Sequence, residues 1–170
     1  LLIVVDLSDA PLEQMASAIE QLGQMRISLN QNESEEGILS RQRALVAGNK
    51  ADIPGADVGF ESLQADYGAK LPLVSISARD GTGLEEMKRL VFQVLEIIRV
   101  YTKTPGQKPD MSDPIILGKG STLTDAAEAV HKDFKARLKY ARLWGSGKHD
   151  GIMVKRDHVL QDGDIIELHV

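Results

Sequence analysis

The sequence predicts a parallel α/β unit followed by a smaller α+β unit. Over the first 97 residues, short apolar runs alternate with segments whose apolar residues recur at helical spacing, a pattern typical of a parallel sheet flanked by helices. Beyond that point the pattern changes to short alternating strands around one helix. The charge changes too: residues 1–98 carry 8 Lys/Arg against 15 Asp/Glu, whereas residues 99–170 carry 12 against 10. We therefore expect two domains, residues 1–97 and residues 98–170.

In the first domain the apolar runs predict three strands and the periodic segments predict three helices. The first strand, at residues 1–6, is a continuous apolar run that ends at Asp6, as in strands buried inside a parallel sheet. Asp9 and Pro11 stand where a helix cap and first turn belong. The other expected elements are a helix near 12–22, a polar loop at 30–40, strands at 43–48 and 71–76, and helices near 59–67 and at 84–95.

The second domain is expected to contain a hairpin, one helix and further short strands, an arrangement of the β-grasp kind. Thr124 is the predicted helix N-cap, with Asp125 and Glu128 in the first turn and the helix ending near Phe134. Trp144, Tyr101 and Phe134 are expected in the core, although Trp144 is also suited to anchor a partner. The expected strands lie at 98–102, 114–117, 140–144, 152–154 and 165–170, with a Pro/Gly-rich stretch at 104–114 and a turn at 162–163.

The composition is that of an ordinary globular protein of 170 residues, 42% hydrophobic and 26% charged. No apolar run approaches the roughly 20 residues needed to span a bilayer, so we expect no membrane segment. Cysteine is absent, which excludes disulfides and thiolate metal sites and fits a cytoplasmic location. The four histidines have no ligand-pair spacing, so no metal site is expected at His131, His149, His158 or His169.

The chain opens within an apolar strand, without Met or a leader. We expect it to be a fragment whose first domain lacks its beginning. In that case residues 1–5 would expose an apolar sheet edge, and such edges favour association. The expectation that follows is a dimer formed through this edge, or the loss of a partner segment that was once present.

Asn49-Lys50-Ala51-Asp52 directly follows the second expected strand. A guanine base presents two donors on one edge, its N1–H and its exocyclic amine, and the Asp52 carboxylate is suited to accept both. Adenine lacks this pair, so the contact would select the base. The Asn49 amide is suited to reach the other side of the base and to tie the loop to its neighbours, while the aliphatic part of Lys50 lies over the ring. The location fits, because ligands of such sheets bind outside the carboxyl ends of the strands.

Ser77-Ala78 follows the third expected strand and supports the same site. A tight turn there would aim backbone N–H groups at the guanine O6, so that two loops after successive strands converge on one base. An isolated Asn-Lys-x-Asp sequence would be equally well explained by a solvated loop. The candidate base-binding residues are therefore Asn49, Lys50, Asp52, Ser77 and Ala78.

Several segments also resemble a known family. Residues 45–52 and 75–84 resemble the last two nucleotide motifs of translation-factor-class GTPases, and residues 98–106 and 108–110 resemble the domain junction of the Obg family in its developmentally regulated GTP-binding (DRG-like) branch. Residues 120–123, 141–145 and 157–164 resemble the TGS domain that ends those proteins and occurs in threonyl-tRNA synthetases and stringent-response enzymes. The resemblance implies part of a Ras-like P-loop GTPase sheet followed by a ubiquitin-like TGS domain.

The resemblance further implies GTP or GDP as ligand, Mg²⁺ in the intact parent, and a cytoplasmic, ribosome-associated regulatory role. A phosphate loop needs Gly, four residues, then Gly-Lys-Ser/Thr, and the sequence contains none. Gly118-Lys119-Gly120-Ser121 fails because the earlier glycine would fall at Asp113 and Gly120 replaces the Ser/Thr. We therefore expect no catalytic residue and no metal ligand here. The chain should bind GTP weakly or not at all and be catalytically inactive.

A basic stretch in the second domain suggests a face for RNA or the ribosome, which the resemblance also favours. The interleaved acids Asp125, Glu128 and Asp133 leave open a solvated helix face instead. An alternative for the whole chain is a non-catalytic RNA- or ligand-binding module whose α/β half is only a scaffold. The basic residues are His131, Lys132, Lys135, Arg137, Lys139, Arg142, Lys148, His149, Lys155 and Arg156.

Overall fold

The computed structural model describes residues 1–29, 38–147 and 149–169. It divides the chain into two compact units, Leu1–Leu95 and Glu96–Val170. Most of the loop expected at 30–40, together with Lys148 and Val170, lies outside the described residues. Within the described parts of the chain, no helix has the length and apolar character that crossing a bilayer would require.

The first unit is built on a parallel three-stranded sheet, which confirms the predicted fold class. The elements of this unit are β1 (Leu2–Asp6), α1 (Pro11–Gln24), β2 (Ile27–Ser28), β3 (Ser40–Arg41), β4 (Leu45–Asn49), α2 (Ala56–Tyr67), β5 (Leu73–Ser75) and α3 (Leu84–Leu95). The strand order in the sheet is β1-β4-β5, and a short parallel pair, β2-β3, was not predicted.

The central strand β4 is buried because helices cover both faces of the sheet. Val46 packs with Ile3 and Val5 of β1 against α1 and α2. Leu45 and Ala47 face the other way, toward α3. Burial on both faces explains why the sequence of β4 is a continuous apolar run rather than an alternating one.

The start of α1 differs from the prediction. Its N-cap is Ala10, in the left-handed region at φ 42°, and no side chain caps the helix. Pro11 occupies the first turn as expected, whereas the assignment of Asp9 as the cap is wrong. The Gln14 side chain turns back instead and accepts the backbone N–H of Asp6 at 2.9 Å. A residue of the helix therefore binds the end of β1, which spacing alone does not reveal.

The second unit has the β-grasp arrangement that the sequence predicts. Its elements are β6 (Ile97–Thr102), β7 (Asp110–Gly118), α4 (Leu123–Val130), α5 (Lys132–Arg137), β8 (Tyr140–Trp144), β9 (Ile152–Val154) and β10 (Ile165–His169). The mixed sheet has the order β7-β6-β10-β8-β9, with β10 parallel to β6 and antiparallel to β8. Buried residues from the sheet and α4 form one core.

Strand β7 begins at Asp110, inside the stretch predicted as a Pro/Gly-rich loop. It tolerates Pro114 because it is an edge strand of the sheet, where a missing N–H costs no ladder hydrogen bond on the open side. The chain then turns at Lys119 and Gly120 into α4. This strand-to-helix turn is the Gly-Lys-Gly-Ser segment that the sequence already separates from a phosphate loop.

The predicted single helix is two helices, and its predicted cap is wrong. The N-cap of α4 is Thr122, in a capping box with Asp125, and not Thr124. The Asp125 carboxylate accepts the Thr122 backbone N–H at 2.7 Å, so the Thr-x-x-Asp spacing selects the cap. The helix stops at His131, whose extended backbone (φ −162°, ψ 136°) starts a second helix.

Only one of the three aromatic residues expected in the core packs there. Phe134 is partly buried against the core, as predicted. Trp144 and Tyr101 are outside it, because the alternation of each strand directs Leu143 and Val100 inward and their neighbours outward. The opposite face of the sheet therefore carries aromatic side chains.

Thr122→Ala should destabilise the second unit by about 1 kcal/mol, the usual cost of losing a side-chain N-cap. Trp144 is the only tryptophan and lies in this unit, so urea unfolding followed by its fluorescence reports the unit directly. Asp157→Asn, an exposed turn substitution, is the control and should change little. Equal midpoints for Thr122→Ala and the unsubstituted chain would contradict the capping role.

Candidate nucleotide-binding site

Two loops meet at the carboxyl edge of the parallel sheet. The first continues from the end of β4 at Asn49, and the second follows β5, which ends at Ser75. Because β4 and β5 are neighbours in register, with Gly48 opposite Ser75, their following loops leave the sheet side by side. This edge is where parallel α/β sheets bind ligands.

Two side-chain hydrogen bonds connect these loops. The Ser77 hydroxyl donates to the Asp52 carboxylate at 2.6 Å, and the Ala78 backbone N–H donates to the Asn49 side-chain oxygen at 3.0 Å. The structure thus brings four of the five candidate residues together in pairs, one member from each loop. The carboxylate that would read the base is held by a hydroxyl 25 positions further along the chain.

Ser77 is the central hydrogen-bonding residue of the second loop. It is fully buried, its N–H donates to the Thr82 carbonyl at 2.9 Å, and its carbonyl accepts the Gly81 N–H at 2.9 Å. The Asp80 carboxylate accepts the Thr82 N–H at 2.8 Å, and this backbone hydrogen bond lowers the pKa of Asp80. The turn is therefore closed from both ends, which fixes the hydroxyl that orients Asp52.

Lys50 does not take part in the hydrogen bonds that join the other four candidate residues, because its ammonium binds elsewhere. Its backbone is in the left-handed region at φ 69°, and its side chain forms an ion pair with the Asp6 carboxylate at the end of β1. Asp6 also accepts the N–H and hydroxyl of Ser8, at 2.9 and 2.6 Å. The hydrogen bond from Lys50, and then those from Ser8, lower the pKa of Asp6 to about 2, and the same pair raises the pKa of Lys50.

Two glycines allow the close packing beneath the loops. A Cβ on Gly48 would lie 2.4 Å from the Leu7 side chain, and one on Gly83 would lie 2.1 Å from the Ser75 carbonyl oxygen. Gly83 also has a positive φ of 74°, which favours glycine. A larger residue at Gly48 would collide with the Leu7 side chain, and one at Gly83 would collide with the backbone where β5 ends.

The Asp52 carboxylate retains room for a ligand. Its side chain is 18% exposed, and the nearest cation, Arg79, is 3.6 Å away and itself 87% exposed. Each carboxylate oxygen has two lone pairs, so Asp52 can accept two further donors while keeping the Ser77 hydrogen bond. The Ala78 N–H donates to Asn49 in this structure. Recognition of a base oxygen by that N–H therefore requires sharing the donor or turning the Asn49 amide.

The sequence predicts both loops but not the residues that hold them in place. Asp6, which ends the first expected strand, holds the loop that contains Lys50. Asp80 and Arg79 were not among the candidates. An Asp two positions before the Thr82 N–H is a local turn signal that could have identified Asp80, whereas the Arg79 contact depends on tertiary geometry.

Residues suited to hold Mg²⁺ are not found in the described parts of the chain, where no three His, Cys, Asp or Glu side chains cluster suitably for a metal. Some of the basic residues noted in the second unit are bound within it. Lys135 pairs with Glu128 at 2.6 Å, and the Arg156 guanidinium donates to the Leu138 carbonyl at 2.6 Å. The basic stretch is therefore less available to anions than its sequence suggests.

Comparison with known proteins gives the following relatives. Residues 98–170 match the TGS domain family. An uncharacterised GTP-binding protein of Methanocaldococcus jannaschii is 35% identical over 132 residues, which is 74% of this chain and 32% of that protein. Developmentally-regulated GTP-binding protein 1 of Xenopus laevis is 34% identical over 134 residues, which is 73% of this chain and 36% of that protein.

The solved structures agree in fold. A GTP-binding protein of Pyrococcus horikoshii covers 97% of this chain and is itself covered over 61%, with a TM-score of 0.61 at 18% identity. The chain spans about a third of the length of the curated relatives. It therefore ends in a TGS domain and is homologous to DRG-like GTP-binding proteins over about 74% of its residues, which confirms the resemblance.

Lys50→Met should raise the pKa of Asp6 from about 2 toward the ordinary value near 3.9, measured by NMR of the side-chain carboxyl carbon. Because the pKa of Asp6 is lower in the folded than in the unfolded chain, the ion pair stabilises the folded state above about pH 4. This contribution to stability is lost as the pH falls toward 2. Lys70→Met, at an exposed position, is the matched control. An Asp6 pKa unaffected by Lys50→Met would show that the ion pair does not form in solution.

Proposed function

We propose that this chain, a homologue of DRG-like GTP-binding proteins that ends in a TGS domain, recognises the guanine base of GTP or GDP through Asn49, Lys50, Asp52, Ser77 and Ala78. The observation that carries the proposal is the Ser77–Asp52 hydrogen bond, which holds a carboxylate at the carboxyl edge of the sheet. The relatives described above are named as GTP-binding proteins, which supports the same ligand.

Asp52 selects the base by accepting its N1–H and exocyclic amine. A base without both donors leaves the partly buried carboxylate short of a partner, at a cost of about 1–3 kcal/mol. Asn49 ties the Ala78 turn to the site, and the aliphatic part of Lys50 covers the ring while Asp6 holds its ammonium. Selectivity then depends on a carboxylate that the fold orients before the ligand arrives.

Asp52→Asn should weaken GDP binding by about ten-fold or more and improve binding of xanthosine diphosphate, because the new amide donates to the xanthine C2 oxygen. Nucleotide titrations followed by amide NMR shifts at Asn49, Ser77 and Ala78 measure even weak binding. Asp57→Asn, an exposed change on α2, is the matched control. Equal responses to guanine and adenine nucleotides would contradict the proposal and favour the alternative in which the α/β half is only a scaffold.

The phosphates and Mg²⁺ would be bound by groups other than those of the described site. The sequence contains no phosphate loop, and no carboxylate cluster suited to a metal occurs in the described residues. We assign no catalytic residue, and we propose that the chain supplies base specificity to a GTPase without performing hydrolysis itself. Much of a nucleotide's interaction with such proteins is with its phosphates, so the affinity of this chain should be low.

For the TGS domain we propose contact with RNA or the ribosome. The excess of basic over acidic residues in 99–170 supports this role. The absence of cysteine accommodates the cytoplasmic location that such a role requires.

We also propose that the open edge of β1 pairs two copies of the chain. The Leu1 carbonyl and the Leu7 N–H bond toward β4, so the backbone groups of Leu2 and Val4 point to the open side. These two residues are 47% and 55% exposed. Leu2 also borders a groove of about 460 Å³ between the sheet and α3, lined by Leu1, Leu2, Gln42, Arg43, Leu45, Val91, Val94 and Leu95.

Light scattering after size exclusion should therefore give twice the 18.6 kDa chain mass at high concentration. Val4→Lys should shift the protein to monomer, since a lysine on an edge strand opposes pairing. Val58→Lys, at an equally exposed position on α2, should leave the dimer intact. A monomer at every concentration for the unsubstituted chain would refute the dimer.

A further inference from the structure

Within the described residues of the second unit, helix α4 packs on one face of the five-stranded sheet and the other face carries no helix. Strand alternation directs one set of side chains into the core beneath α4 and the other set to the opposite face. All but one of the outward residues keep contact with solvent, and the exception is Glu167. The outward set from the strands β6, β10, β8 and β9 is Ile97, Arg99, Tyr101, Ile165, Glu167, His169, Tyr140, Arg142, Trp144 and Met153, and Lys103 follows directly after β6.

Glu167 forms the centre of this face and is neutralised there. It is 5% exposed, accepts the Lys103 ammonium at 2.5 Å, and lies 2.9 Å from His169 Nε2. The hydrogen bond from Lys103 lowers the pKa of Glu167, so the group stays a carboxylate and His169 donates to it. Because its charge is balanced by a fixed ammonium, the face is not acidic despite its buried glutamate.

Aromatic rings lie on either side of this centre. The Tyr140 and His169 rings stack with centroids 4.5 Å apart and planes 14° from parallel. At the other end of β8, the Lys103 ammonium sits 4.8 Å from the centre of the Trp144 ring. Tyr140 and Trp144 are four residues apart on one strand, about 13 Å, so their rings are separate contact points on the same face.

Arg142 stands between these two rings and is the available cation of the face. Its register partner is Glu167, but the Glu167 carboxylate is occupied by Lys103 and His169. Arg142 is exposed, and no carboxylate of the residues that the structure describes lies within 4 Å of its guanidinium. On the helical side, by contrast, Lys135 is already paired with Glu128.

We propose that this open sheet face binds single-stranded nucleic acid, with bases stacked on Tyr140 and Trp144 and a phosphate paired with Arg142. Partly exposed rings flanking an exposed guanidinium match the chemistry of a chain that alternates flat bases with phosphates. The inference deepens the RNA-binding part of the proposed function, on which it rests. The proposal assigns the RNA contact to the sheet face of the second unit instead of the basic stretch on and around its helices.

Trp144 makes the contact directly measurable, because it is the only tryptophan of the chain. Short oligouridine, added to the full chain at about 50 mM salt, should quench its fluorescence saturably, and binding should weaken as salt is raised. Oligothymidine distinguishes RNA from DNA: equal quenching means that the face reads bases and phosphates, and weaker quenching means that it also uses the 2′-hydroxyl. Both results support the proposal, whereas no saturable quenching by either strand overturns it.

Arg142→Gln should weaken binding and reduce the slope of log affinity against log salt by about 0.7, the effect of one lost phosphate contact on a single strand. Arg137→Gln is the matched control, because it removes the same charge from an exposed site on α5. Equal loss in the two variants would show that binding reflects general charge or the helical stretch, and would overturn the assignment to the sheet.

Tyr140→Leu should weaken binding about five-fold or more if a base stacks there. Thermal unfolding of each variant confirms that the fold is retained, and the exposed Arg142→Gln change keeps the test informative if Tyr140→Leu does not fold. Asp52→Asn should leave oligonucleotide binding unchanged. Failure of guanine recognition and failure of this proposal are therefore separate results.

Discussion

The first unit depends on a pair of hydrogen bonds that join two loops far apart in sequence. Ser77 holds the carboxylate of Asp52, and Asn49 holds the backbone of Ala78. Both bonds depend on the parallel register of β4 and β5, which places the two loops side by side. Gly83 and the closed turn around Ser77 support this contact, since Gly83 lets the backbone approach Ser75 more closely than a larger residue would allow.

In the proposed function, this arrangement separates base recognition from phosphate chemistry. A carboxylate that is oriented by a buried hydroxyl loses little further freedom when a base binds, so its hydrogen bonds discriminate between bases efficiently. The ion pair between Asp6 and Lys50 plays a similar part on the other side, because it links the end of β1 to a loop whose backbone adopts a left-handed conformation. Both devices are local to the sheet edge and require no metal.

The sequence sufficed wherever a pattern had a single physical explanation. The apolar runs identified β4 and β5, the Asn-Lys-x-Asp and Ser-Ala pairs identified the loops, and the amphipathic period of α3 gave its bounds. The errors arose where local signals competed. Thr122 and Thr124 both precede Asp125, and only the three-residue spacing to its carboxylate favours Thr122. The link between Lys50 and Asp6 joins positions 44 residues apart in sequence, a contact that no local pattern encodes.

The buried glutamate in the second unit is accounted for by the proposed nucleic-acid contact more readily than by stability. A buried ion pair is often no more stabilising than apolar residues of similar volume, so stability alone gives little reason to place Glu167 beneath Lys103 and His169. The cluster does fix Lys103 and His169 at the centre of a solvent-facing sheet, and among the residues that the structure describes no carboxylate pairs with the neighbouring Arg142. One face of the sheet carries the apolar core, and the other carries an ordered set of polar and aromatic side chains. This division is expected when one face stabilises the domain and the other binds a ligand.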